Sequence, residues 1–291
     1  MVIGRERPAV VDGHVHFWDP GAREHAWLAG DAQLDRPFGP ADHVAATGGR
    51  VDGVVAVQAD CRWDQAQDEA AWFGTLGDAE VPVLGIVAAA RLESPDVGAH
   101  LSWLGEQPLV VGVRRLLQDE APGFATSDAF VDGVRALARH GLTMDLCVRH
   151  HQLAEVTELV RLCPDVTFVL DHCGKPDVRG GGYDAWAADL ARLAEEPDVT
   201  CKLSGLLSEA DAATASDIPA YLAHALAVFG PERCLFGSDW PVCTTAGSWS
   251  QWWDIVGQVL DPLDADGKDH VLGGTAVRTY GLGRQARGDA A

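Results

Sequence analysis

The feature that most constrains this chain is a rhythm. Short β-rich runs recur about every thirty residues as far as residue 240, and segments with helical spacing fill most of the gaps. The runs are AVVDGHVHFW (9–18), VDGVVAVQAD (51–60), VPVLGIVAAA (81–90), LVVGVRRLLQ (109–118), LTMDLCV (142–148), VTFVLDH (166–172), VTCKLSG (199–205) and CLFGSDW (234–240). Between them SDAFVDGVRALARHG, LAEVTELVRLCPD and IPAYLAHALAVFG carry helical periodicity. The first has Ser127 or Asp128 to cap its start and Gly141 just past its end; Pro164 stops the second and Gly230 the third. Eight strands alternating with helices over about 250 residues predict an α/β fold of the (β/α)8-barrel type. An open doubly wound sheet would need a glycine-rich phosphate turn after the first strand, and none follows it. RGGGY (179–183) reads as a short loop, and no linker is long enough to divide the chain, so residues 1–291 are expected to form one domain.

Active sites of such barrels form at the C-terminal ends of the strands, and polar residues gather there. The first strand ends in His14 and His16, the second in Gln58 and Asp60, and the fourth carries Arg114 and Arg115. Arg149, His150 and His151 follow the fifth; Asp171 and His172 end the sixth. Lys202 and Ser204 lie on the seventh, and Ser238, Asp239 and Trp240 end the eighth. Strict alternation would put Asp12, His14, His16 and Trp18 on one face. Closure pairs the eighth strand with the first, which brings Asp239 beside His14 and His16. Imidazoles at i and i+2 with a carboxylate from the next strand suit one divalent metal ion such as zinc, and His172 offers a third ligand or a proton-transfer group. An HxH pair alone is commonplace; the convergence carries the argument. Asp12 is expected to orient His14 or to pair with a buried base. His25, His43, His100, His224 and His270 fall in loops or helices and read as solvated.

Charge excludes one class of partner. A formal net charge of −21, spread along the chain, repels nucleic acid and anionic lipid. The longest apolar runs are about half of what a membrane span requires, and no signal-like sequence opens the chain. Seven cysteines without a CxxC pair fit reduced thiols and predict a cytoplasmic setting. A homo-oligomer is compatible with this composition and not specified by it.

VDGHVHFWD, VLDHCGKPD, CKLSGL and RCLFGSDWPV, in this order, resemble the amidohydrolase superfamily (amidohydrolase-related family 2). Within it they are similar to the lactonase branch that includes L-fuconolactonase, L-rhamnonolactonase, 4-sulfomuconolactonase and 2-pyrone-4,6-dicarboxylate lactonase. The similarity runs from Val11 to about Leu282. The resemblance implies a single (β/α)8 barrel in which His14, His16, His172 and Asp239 form the reaction centre and Arg114 holds the substrate's oxygens. Two-metal members carry a bridging Lys or Glu on the fourth strand, where this chain has Arg114 and Arg115, so a binuclear centre is not expected.

The implied activity is opening of an aldono-1,4- or 1,5-lactone, a small-molecule substrate. Asp239 would act as general base, and the histidines would serve as metal ligands or, with no metal, as electrostatic stabilisers beside Arg114. A zinc-dependent decarboxylase or a lactone isomerase would use the same residues. A non-enzymatic binding barrel would have no reason to keep these ionisable groups together. Trp18 at the rim, Trp63 and Trp240 are candidates to face a sugar ring, and Gln58 and Lys202 to bind its hydroxyls. Lys202 needs a partner wherever it points inward, because an interior ammonium costs several kcal/mol unpaired.

Overall fold

The computed structural model describes residues 10–283. Eight parallel strands form one sheet in sequence order: β1 (Val11–Val15), β2 (Gly53–Val57), β3 (Val83–Ala89), β4 (Val110–Leu116), β5 (Thr143–Cys147), β6 (Phe168–Leu170), β7 (Val199–Leu203) and β8 (Cys234–Phe236). Just beyond β8 the chain returns to β1. Asp239 N–H donates to the His14 carbonyl at 2.9 Å, and His16 N–H to the Trp240 carbonyl at 2.8 Å. A parallel bridge between Val15 and Trp240 completes the closure. Each expected strand is present, and β6 and β8 are shorter than their apolar runs because the polar ends turn out of the sheet.

Helices surround the barrel: α1 (Pro40–Thr47), α2 (Ala66–Gly74), α3 (Val97–Gly105), α4 (Asp128–Leu137), α5 (Leu153–Leu162), α6 (Tyr183–Ala194), the short α7 (Leu206–Glu209), α8 (Ile218–Phe229) and α9 (Trp249–Leu260). The spacing in α4 shows why. Phe130, Val131, Val134 and Leu137 bury one stripe while Asp132 and Arg135 face water. Ser127 occupies its N-cap position, but the hydroxyl donates to the Phe124 carbonyl at 2.7 Å instead of capping. A single turn to His140 then ends at Gly141, which is left-handed (φ 64°) as a helix-terminating glycine should be.

Alternation along the strands makes two apolar layers. Val54, Ala56, Ile86, Val113, Met144 and Phe168 pack outward under the helices. Val55, Val57, Val87, Val169 and Leu235 pack inward with Ala276, Tyr280 and Leu282. The C-terminal segment therefore plugs the barrel beneath the polar ends. All seven cysteines are free. Among the described residues no helix is long and apolar enough to cross a membrane.

The alternation fails in β1. Its register with β2 shifts between Asp12 and Val15, so Asp12 and His14 do not share a face. Gly13 allows this, since a Cβ there would lie 2.4 Å from Leu235 Cδ1 and 3.0 Å from the Phe236 carbonyl oxygen. Asp12 points outward. It faces His43 Nε2 at 3.4 Å, accepts from Trp249 Nε1 at 3.4 Å and takes the Ser238 N–H at 2.8 Å. The expected buried base is thus His43, on α1, and not His14. His25 and His43 are buried and His100, His224 and His270 half-buried, which corrects the reading of all five as solvated.

Candidate active site

Four groups converge where β1, β6 and β8 end. The Nε2 atoms of His14, His16 and His172 lie 3.7, 3.5 and 3.9 Å from one oxygen, Oδ1 of Asp239. His14 and His16 bring their Nε2 atoms within 3.1 Å of each other. The local backbone is bent to achieve this. Asp60 (φ 54°), His172 (φ 54°), Lys175 (φ 45°) and Asp239 (φ 59°) are left-handed, and all four line one cavity of about 340 Å³. Each such residue stores about 1–3 kcal/mol that its surroundings must offset, and strain of this kind collects at functional sites. Gly205 is part of the support, because a Cβ there would sit 2.3 Å from His172 Nδ1.

Second contacts orient the rings. His16 Nδ1 lies 2.8 Å from the Val57 carbonyl oxygen, which can only accept; the proton is on Nδ1 and the Nε2 lone pair faces the cluster. His172 Nδ1 meets the Ser204 hydroxyl at 2.8 Å. His14 has a choice, with Nδ1 at 3.0 Å from Lys202 Nζ and 3.3 Å from Asp171 Oδ1. In one tautomer it accepts from Lys202 and donates through Nε2 to His16. In the other its Nδ1–H donates to Asp171 Oδ1, a buried oxygen with no other hydrogen bond, although Lys202 Nζ lies 3.0 Å away. That second tautomer turns the His14 Nε2 lone pair toward Asp239. Donor atoms of His14, His172 and Asp239 then lie within 4.8 Å of one another. Imidazole nitrogens with a carboxylate are the donor set of zinc and similar divalent ions, so these residues fit such an ion.

Beneath the cluster lies an ionic network. Lys202 is fully buried inside the barrel, with Nζ 2.6 Å from Asp145 Oδ2 and 3.0 Å from Asp171 Oδ1. The Tyr280 hydroxyl also donates to Asp145, at 2.9 Å. Arg114 donates to Asp171 Oδ2 at 3.2 Å and to the Gln58 carbonyl at 2.7 Å, and its Nη1 comes within 3.4 Å of His14 Nε2. Two cations face three carboxylates, Asp145, Asp171 and Asp239.

Burial and the Lys202 charge hold the His14 imidazole neutral, well below its ordinary pKa. Burial brings His172 down to about 4. Burial would push Asp239 up, but its interactions with His172, His16 and His14 outweigh it and hold the carboxyl below its usual range. Asp171 follows the same pattern under Lys202 and His14, whereas burial pushes Asp145 up to about 6 against the opposing pull of Lys202. Near neutrality the site presents the neutral imidazoles of His14 and His172 to an ionised Asp239. That is the state in which imidazole binds a metal and carboxylate accepts a proton.

His14, His16, His172, Asp239 and Arg114 thus meet at one point. The five residues expected to touch a sugar, Trp18, Trp63, Trp240, Gln58 and Lys202, lie outside the lining of this cavity. Trp18 is buried, its indole N–H shared between the Leu34 and Arg36 carbonyls at 3.1 and 3.0 Å. Trp240 is buried among Phe17, Phe38 and His43 and closes the barrel through its backbone. Lys202 is enclosed by its two carboxylates. Gln58 lines a neighbouring cavity, its side-chain oxygen accepting from Asp60 N–H at 2.6 Å.

The aromatic residue at the rim is Trp27, which lines the cavity and rests edge-on against Trp18 at 5.3 Å. Gln118 and Lys175 form another part of the wall and hydrogen-bond each other. His150 and His151 sit on the turn after β5, outside the cavity lining. Asp145 and Tyr280 were not singled out from the sequence, yet Asp145 had a signal. A carboxylate in mid-strand, like Lys202 in another, must find an opposite charge in the interior.

The amidohydrolase family model matches residues 11–282. The chain belongs to the amidohydrolase family. A curated relative in Burkholderia multivorans, an L-fucono-1,5-lactonase, is 35% identical over 94% of this chain and 96% of its own. An L-rhamnono-gamma-lactonase of Scheffersomyces stipitis is 27% identical over 60% of each chain. A crystal structure of a Burkholderia multivorans amidohydrolase with bound zinc is 34% identical and superposes with a TM-score of 0.84, covering 94% of this chain and 99% of that one. In the present chain the fourth strand of the barrel supplies Arg114.

Proposed function

We propose that this amidohydrolase hydrolyses a sugar lactone, an aldono-1,4- or 1,5-lactone, to the open hydroxy acid. The observation that carries the reading is the meeting of three imidazoles on one ionised carboxylate oxygen at the floor of a cavity. The lactone relatives supply the substrate class. Arg114 receives the lactone carbonyl oxygen and stabilises the charge that develops on it. Asp239 takes a proton from the attacking water as the new C–O bond forms. The bond from the acyl carbon to the ring oxygen then breaks, and Asp239 returns the proton to the departing alkoxide. The products are a carboxylic acid and a hydroxyl, with no other reactant consumed.

One divalent ion, zinc in the first instance, would be held by His14, His172 and Asp239, with His16 adjoining. When bound, it would polarise the carbonyl or bring the pKa of a coordinated water to about 7. Trp27, Gln118 and Lys175 offer the ring one aromatic face and several polar contacts.

A pH-indicator assay against a panel of lactones tests the reading. Sugar lactones should be hydrolysed and valerolactone should be a poor substrate, because sites that hydrogen-bond a hydroxyl reject analogues lacking it by up to about 10⁴–10⁵. Asp239→Asn should lower turnover by roughly 10²–10⁴ with the fold intact by circular dichroism. Equal efficiency on valerolactone, or a variant keeping more than about a tenth of the activity, refutes the assignment.

A further inference from the structure

A second cavity of about 270 Å³ adjoins the catalytic one and shares Asp60, Arg114 and Leu116 with it as wall. Each is near or below the lower end of the range for small-molecule sites, and the pair reaches well into it. We propose that this second cavity binds another sugar ring, so that the enzyme accepts aldonolactones of disaccharides. This rests on the lactonase reading above and extends it to substrate size.

The lining chemistry carries the inference. Trp63, half-buried on the turn before α2, contributes an indole to the wall, and Arg91 lies 4.8 Å from its ring centroid. Arg91 has no carboxylate within ion-pair distance among the described residues, so its guanidinium fork is available to two neighbouring hydroxyls. The Gln58 side-chain oxygen is taken by Asp60 N–H, which leaves its amide hydrogens for a ligand. Asp60 stands in the shared wall with a left-handed backbone and a carboxylate that has no ion pair among the described residues. An indole, with Arg91 over its ring and His100 at 5.2 Å, stands beside an amide and a carboxylate, a mixture of apolar and polar groups that matches the C–H groups and hydroxyls of a pyranose.

An anionic group fits less well. Glu93 also lines the cavity, and Arg115 is already paired with Glu93 and Glu120 at 3.0 and 2.6 Å. With the lactone carbonyl at Arg114, a glycosidic substituent of the ring would pass Asp60 into the second cavity.

The test compares kcat/KM of the full-length protein for monosaccharide aldono-1,5-lactones and for cellobiono- and lactobiono-1,5-lactone. At least one disaccharide lactone should reach within about tenfold of the best monosaccharide lactone. Trp63→Ala and Arg91→Ala should each lower the disaccharide-to-monosaccharide ratio by about tenfold or more. Arg91 is exposed, so its variant tests the cavity without threatening the fold. Hydrolysis of monosaccharide lactones alone, or a ratio unchanged in both variants, overturns the second ring and leaves the lactonase reading standing. Hydrolysis of no lactone at all removes both.

Discussion

Replacing Lys202 with methionine tests the ionic network in isolation. Methionine fills the space of the aliphatic stem and deletes the ammonium. Asp145 Oδ2, at 2.6 Å, loses its cation and keeps only the Tyr280 hydroxyl, while Asp171 retains Arg114. Breaking a buried pair by removing one partner costs about 3–5 kcal/mol. At roughly 2–4 °C per kcal/mol for a domain approaching this size, the thermal midpoint should fall by roughly 6–20 °C.

The sign of the pH dependence follows from Asp145. Burial already pushes its pKa up to about 6, and without Lys202 nothing comparable opposes that rise. A carboxyl whose folded pKa exceeds the unfolded value is tolerated while protonated and penalised as pH rises through the folded pKa. The deficit of Lys202→Met should therefore be larger at pH 8 than at pH 5. Asp145→Asn in the same chain should recover about 1–3 kcal/mol, since the amide needs no cation. Urea and thermal unfolding of the four proteins of this cycle, followed by circular dichroism at both pH values, give the answer. A deficit below about 1 kcal/mol, or strictly additive substitutions, would show that Lys202 does not support Asp145 in the way its position indicates.

Elemental analysis of purified protein should find close to one divalent ion per chain; two would demand a bridging ligand where Arg114 stands. In the chelated protein, stability should fall as pH drops from about 6.5 toward 4, because the unfolded chain protonates His172 where the native one does not. The His172 share is about 3 kcal/mol across that window, His14 adds in the same sense, and Asp145 gives part of it back. Comparing His172→Asn with the parent by urea unfolding at both ends isolates the term, and an unchanged slope would refute it. Gly205→Ala should cost upwards of about 1 kcal/mol through its positive φ and should also lower kcat by displacing His172; a fully active, equally stable variant would contradict the contact.

The sequence by itself determined the barrel and the floor of its site. Eight apolar runs at regular spacing admit few folds, and closing the sheet forces β8 beside β1, so Asp239 had to meet His14 and His16. Composition argued against a nucleic-acid partner for a similarly general reason, since a net charge of −21 repels polyanions whatever the fold.

Tertiary structure decided which side chains face the cavity. A one-residue register shift in β1 sent Asp12 outward to His43 and His14 inward to Lys202, and strict alternation cannot register such a shift. Trp18 and Trp27 are both tryptophans near the first strand. Only the course of the loop, which pairs Trp18 with Phe38 through backbone hydrogen bonds of 3.1 and 2.9 Å, buries one and leaves the other at the rim. Lys202 and Asp145 lie fifty-seven positions apart on strands that are not neighbours, and they touch because a closed barrel brings every inward residue to one axis. Periodicity is a local property of a chain and survives in its sequence; the facing of a residue after a bulge, and its partner across a barrel, exist only once the sheet has closed.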